Sequence, residues 1–255
     1  MSINTNEELV KQFAIRLGDD SLILGHRLSE WCRFGPFLEE DVALTNVALD
    51  YIGRTRMFYA YAAELSDGKQ TEDDFAYLRD CREYQNFLIV ELPKGDFAYT
   101  MAKQLIMDVF YYYYLDELCN SNDSTLAAIA GKAIKETKYH LRRSTDWILR
   151  LGDGTDESHG RLQVAFDALW GYTPELFEQD ELEQKLVKQG IAVDTALLKS
   201  KWESRLKEIL KEATIDTPIN SWTVRGGRAG YHTEHLGHLL SELQYMQRSY
   251  PGQQW

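Results

Sequence analysis

The chain has 255 residues, 44% of them hydrophobic, with only 5 prolines, which suits a sizeable buried core and not a long disordered region. Its net charge of −12 argues against nucleic acid or an anionic membrane as the main partner, since both favour basic faces. Cys32, Cys81 and Cys119 are widely spaced and form no CxxC, so a disulfide scaffold or zinc knuckle is not expected.

In chain order, a first helix is predicted from Thr5, where Thr5 and Glu8 have capping-box spacing. Its apolar positions Phe13, Leu17, Leu24, Leu28 and Trp31 recur at helical intervals. The break Arg33-Phe34-Gly35-Pro36 leads to a second helix, Leu38 to Leu65, with Val42, Leu49, Ile52 and Met57 expected inside. Ser66 to Gln70 ends it. A shorter helical stretch, Asp73 to Glu91, stops at Pro93-Lys94-Gly95. The third long helix starts at the N-cap Asp96 and runs through Tyr111-Tyr112-Tyr113-Tyr114, which spread around a full turn. The fourth spans Ser124 to Leu151 and stops at Gly152-Asp153-Gly154. Further helices are expected near 158–170, 174–189, 194–213 and 231–248. No alternating strand pattern occurs, so the fold class is all-α: a single domain, with an up-down core bundle over about 5–152 and a helical extension over about 155–255.

Four acidic residues hold mirror positions in this plan. Asp20 and Asp50 each lie fifteen residues from Gly35, and Asp108 and Glu136 each lie fourteen from Asn122. If each break joins antiparallel helices, each pair sits at one height, about 21–22 Å from its turn. Four helices with one inward carboxylate each are the frame of a di-iron bundle, which also needs two histidines one turn after a carboxylate. Those positions hold Gly53 and Tyr139. His140 is four residues from Glu136, about 40° off that line. The frame therefore reads as a metal-oxygenase framework without its metal: no catalytic residue and no metal ligand is assigned. Arg16, Arg54 and Lys132 stand one turn from Asp20, Asp50 and Glu136 and are the candidate cations for neutralising the layer. Four unrelated solvated or salt-bridged acids would give the same spacing.

Three other features are weaker. His232 and His235 are placed on one helix face with His238 a turn further, a set incomplete for zinc and better suited to structure or an interface. Gly226-Gly227-Arg228-Ala229-Gly230 offers a glycine-rich entry to that helix; it lacks the preceding strand and lysine of a phosphate loop. No Ser/His/Asp or Cys/His arrangement emerges from the spacing.

The residues also carry a resemblance that covers nearly the whole chain. The blocks Arg16-Leu17-Gly18-Asp19-Asp20, Leu28-Ser29-Glu30-Trp31-Cys32, Asn46-Val47-Ala48-Leu49-Asp50, Lys132-Ala133-Ile134-Lys135-Glu136 with Tyr139-His140-Leu141-Arg142, Gly190-Ile191-Ala192-Val193-Asp194, His232-Thr233-Glu234-His235-Leu236-Gly237 and Pro251-Gly252-Gln253-Gln254-Trp255 resemble the C-subunit family of bacterial phenylacetyl-coenzyme A ring epoxidases. The resemblance implies a ferritin-like fold and a non-catalytic, structural subunit of a multicomponent oxygenase of phenylacetate catabolism. It implies a related catalytic partner that carries the di-iron centre and uses O₂ with electrons from an NADPH-dependent reductase. Asp20, Asp50, Asp108 and Glu136 would stand at that partner's carboxylate positions, and Gly53 and Tyr139 at its histidine positions. No cofactor is expected on this chain itself. An independent, carboxylate-rich di-iron oxygenase or oxidase is the alternative, and a regulatory or storage module that forms a homodimer alone is a third reading. The amino terminus shows no basic head or apolar stretch and no run of 18 apolar residues occurs, so a cytoplasmic setting is expected.

Overall fold

A computed structural model describes residues 5–219 and 222–253. Among them every regular element is helical: α1 Thr5–Ser29, α2 Leu38–Glu64, α3 Glu72–Tyr77, α4 Leu88–Glu91, α5 Phe97–Leu118, α6 Ser124–Gly152, α7 Asp156–Trp170, α8 Glu181–Lys188, α9 Lys199–Glu212, α10 Glu234–Leu243 and α11 Tyr245–Ser249. This is the all-α class of a ferritin-like helix bundle. The side chain of Thr5, and with it the expected capping box, lies outside the described residues, as do Gln254 and Trp255 of the last block. Among the described residues no helix is long and apolar enough to cross a membrane.

The caps follow the local chemistry. Asp96 accepts from the Tyr99 amide at 2.8 Å at the start of α5, and Asp123 accepts from Thr125 and Leu126 at the start of α6. Thr155 and Ser158 form a capping box on α7.

Two compact units emerge. One comprises Met1–Glu30, Ala43–Pro93 and Arg225–Trp255; the other comprises Trp31–Val42 and Lys94–Val224. Residues 155–255, expected as an extension, are thus shared between the two. The first unit is built on α1 and the body of α2. Thr55 Oγ1 donates to the Gly18 carbonyl, and a Cβ built on Gly25 would meet Tyr51 Cβ at 3.2 Å. Residue numbers rise along one helix as they fall along the other, so the pair is antiparallel. The second unit centres on α5, buried on nearly all sides, as a helix apolar all round must be. Phe97 of α5 meets Trp147 of α6 edge-on at 4.9 Å between centroids, and Trp202 of α9 donates to the Ile106 carbonyl at 3.1 Å. Tyr111 and Tyr114 are buried while Tyr112 and Tyr113 are partly exposed.

Three expectations need correction. Of the α2 positions expected inside, Val42 is 51% exposed, Leu49 is 62% exposed, and Ile52 and Met57 are half-buried. The buried stripe is Leu44, Val47, Ala48, Tyr51, Phe58, Tyr59 and Ala62; α2 is apolar on more than one side, and the side bearing its aromatic rings goes in. The stretch 73–91 is not one helix: after α3 come a 3-10 turn at Cys81–Glu83, extended residues and the single turn of α4. Helical hydrogen bonding gives way because the amides of Gln85 and Phe87 donate to carboxylates of α1 instead. Finally, α10 begins at Glu234, so His232 precedes the helix and does not share its face with His235 and His238.

Candidate functional site

The most unusual chemistry in the first unit is a set of fully buried acids, because a buried charge persists only when paired and hydrogen-bonded. Asp19, Asp20 and Glu91 are each 0% exposed. Asp19 accepts from Tyr59 Oη at 2.5 Å and from the Gln85 amide at 2.8 Å, and it forms an ion pair with Arg79. Burial works against the charge of Arg79, yet Asp19 holds that guanidinium above its ordinary range. The Tyr59 phenol is pushed well above its ordinary value by burial and by Asp19.

Asp20 accepts from the Phe87 amide at 2.8 Å and takes Arg228 in a fork, Nη2 to Oδ2 at 2.9 Å and Nη1 to Oδ1 at 3.2 Å. Burial raises its pKa, Arg228 pulls it back, and the carboxyl stands at about 6 instead of 3.8. Arg228 also donates to the Gln85 carbonyl and lies 3.7 Å over the Phe87 ring centroid. The glycine loop is what delivers it. A Cβ on Gly227 would lie 2.1 Å from the Asn86 carbonyl oxygen, and one on Gly230, at φ +76°, would lie 2.3 Å from the Arg82 carbonyl oxygen. Neither position has room for a side chain, so the glycine-rich entry to the helix is a packed wedge.

Glu91 accepts from the Thr233 amide at 2.6 Å, from Asn86 Nδ2 at 2.9 Å and from His232 Nδ1 at 2.8 Å. The other ring nitrogen of His232 lies 2.8 Å from the Tyr84 carbonyl. Burial lowers the pKa of His232, but the Glu91 hydrogen bond and charge outweigh it and the net shift is upward.

The sequence-predicted positions in this unit are placed unequally. Gly18 lies against Thr55, and Gly25 against Ala48 and Tyr51. That register sets Asp20 level with about Gly53 or Arg54 and Asp50 level with about Ile23 or Leu24, so the mirror about Gly35 is displaced by roughly one helical turn, about 5 Å. Asp50 is half-buried and Gly53 is exposed, with nothing within 4 Å of a Cβ built there. Arg54 is buried, its guanidinium 4.8 Å from the Tyr51 ring centroid, and Arg16 donates from Nε to Gln85 at 2.8 Å. In the second unit Asp108 is 0% exposed and accepts from Gln104 Nε2 at 2.7 Å and Ser144 Oγ at 2.8 Å. Ser144 lies two turns beyond Glu136, which is half-buried; Lys132 is exposed and Tyr139 is 45% exposed beneath Arg142. Sequence reasoning did not find Asp19, Arg79, Glu91 or the pairing of Arg228. It weighed charge partners one turn away on the same helix, and these lie dozens to hundreds of residues away.

The sequence matches the phenylacetic acid catabolic protein family over residues 1–255. The chain belongs to that family. It is 47% identical over 243 residues to the C subunit of the 1,2-phenylacetyl-CoA epoxidase of Escherichia coli strain K12, across 95% of this chain and 98% of that protein. Whether this member of the phenylacetic acid catabolic family suits a di-iron group can be judged from its donors. Asp20 commits both oxygens to Arg228 and the Phe87 amide, while Gly53 has no side chain and Tyr139 stands at the surface. Among the described residues no group of three or more His, Cys, Asp or Glu side chains is placed to hold a metal ion. The donor set does not fit, and no chemical step is derived through iron on this chain.

Proposed function

We propose that this chain is the structural, non-catalytic subunit of a multicomponent phenylacetyl-CoA ring epoxidase, pairing with a related catalytic subunit that carries the di-iron centre. In this reading Asp20, Asp50, Asp108 and Glu136 correspond in sequence to the partner's carboxylates, and Gly53 and Tyr139 to its histidines. The observation that supports it best is the Arg228 fork on Asp20, a fixed organic cation on a carboxylate that a di-iron subunit would offer to metal. With a guanidinium there, the fold keeps its acid without oxygen chemistry, and its task becomes holding the partner in shape. Three free thiols, Cys32, Cys81 and Cys119, suit a reduced cytoplasm.

The test is metal content and assembly together. The purified chain is incubated anaerobically with ferrous iron, freed of unbound metal and assayed, then mixed with the di-iron subunit of its host's epoxidase. Iron well below one atom per chain with a stable hetero-oligomer is the expected result. About two atoms per chain would overturn it in favour of an independent di-iron oxygenase. A lone homodimer that ignores the di-iron subunit would overturn the pairing.

A further inference from the structure

His232 is held between two acceptors. The Glu91 carboxylate takes one ring nitrogen and the Tyr84 carbonyl takes the other, each at 2.8 Å. A neutral imidazole carries one N–H and can satisfy only one of them; the imidazolium satisfies both. The side chain is 2% exposed and Glu91 is 0% exposed, so water does not readily replace the missing donor. On the far side of this contact hangs the whole segment 225–253, and on the near side the extended backbone 84–87 and α4.

Apart from the Arg228–Asp20 fork, whose acid stands at about 6, the remaining fastenings of that segment do not respond to pH near neutrality. Arg27 donates to the His235 carbonyl at 2.9 Å, Gln244 to the Arg79 carbonyl at 2.9 Å, and Arg248 to Asp80 at 2.9 Å. The charged groups that act on His232 are Glu91 from α4 and Asp19 from α1; Cys81 and Arg27 stand by Glu91, and Arg79 and Arg228 hold Asp19 and Asp20. Asp19 and Glu91 favour the cation; Arg79, Arg27 and Arg228 are engaged with carboxylates or carbonyls. We propose that His232 is a proton-operated latch, fastening residues 225–253 onto the 84–91 strap as an imidazolium and releasing them locally when its proton leaves. The upward pKa shift agrees with this geometry. A group whose folded-state pKa is raised stabilises fully below its ordinary value, 6.5, and that contribution is lost as pH rises through the folded value. The latch is closed in acid and opens as pH rises through the folded value, above 6.5.

Two measurements on the full chain decide it. The carbon-bound ring proton of His232 is followed by NMR from pH 5.5 to 9, assigned by its disappearance in His232→Gln. Amide hydrogen exchange, corrected for its intrinsic pH dependence, is followed over the same range. The latch predicts titration above 6.5, and between 6.5 and that midpoint a rise of up to about tenfold per pH unit in opening of the amides of 85–91 and 231–236, levelling off above it. The rise should be absent in His232→Gln. Titration at or below 6.5, opening that ignores pH, or acceleration shared by all amides of the unit would each overturn it. Should His232→Gln fail to fold, the ring titration, assigned by other means, and the wild-type exchange profile still decide between these outcomes.

Discussion

Arg228 and Asp20, 208 residues apart in sequence, form a two-nitrogen fork in which both carboxylate oxygens are engaged and the acid is fully buried. The loop that carries the guanidinium is glycine where it touches the strap, so the contact is set by backbone shape as much as by charge.

Removing the guanidinium while keeping a long apolar stem isolates the charge. Arg228→Met is expected to lower unfolding free energy by about 3–5 kcal/mol near neutral pH, the range for a buried pair that loses one partner. The loss should shrink toward pH 4, because Asp20 can then stay neutral. Urea midpoints at pH 4 and 7 check both parts; an equal effect at the two pH values would show that packing over Phe87, not charge, is what Arg228 contributes.

Asp20 itself carries a pH signature. Its folded-state pKa is raised from 3.8 to about 6, so folding retains a proton that the unfolded chain releases. The associated stability is complete below about pH 3.8 and lost as pH rises through about 6, a change of about 3 kcal/mol. Unfolding free energies of wild type and Asp20→Asn should therefore diverge across this window, wild type losing about 3 kcal/mol relative to the variant. Parallel pH profiles would mean that Arg228 fully compensates the burial.

Two glycines should respond in opposite directions. Gly227→Ala drives a methyl into the Asn86 carbonyl oxygen at 2.1 Å, and the displaced wedge takes Arg228 with it; a fall of several degrees in Tm is expected. Gly53→Ala places a methyl in open space within α2 and should stabilise by about 0.5–1 kcal/mol. Thermal unfolding of the two variants side by side makes the comparison, and a destabilised Gly53→Ala would show that this position needs its bare backbone.

The long helices were legible because their signals are local: Asp96 caps α5 by bonding Tyr99, and Gly152 closes α6. The all-α class follows from those alone. The face of α2 was not, because Val42 and Leu49 are as apolar as Val47 and Ala48, and only their neighbours decide which side is covered. The stretch after α3 departs from its pattern for a related reason: its helical spacing is real, but Asp19 and Asp20 offer its amides charged acceptors. Asp20 stands out in the sequence as an inward carboxylate, and it is buried. The cation that forks it, Arg228, is hidden by distance along the chain, whereas Arg16 is the basic neighbour that helical spacing brings to mind.

The first unit is assembled from three stretches widely separated in sequence, which has a consequence for synthesis. Asp20 leaves the ribosome 208 residues ahead of Arg228, roughly 10–40 s at ordinary elongation rates. Throughout that interval its carboxyl waits without its fork, and Glu91 waits without His232. A nascent chain stalled just before Gly226 should therefore present two uncovered acids, and the emergence of Arg228 and His232 is the event that seals them.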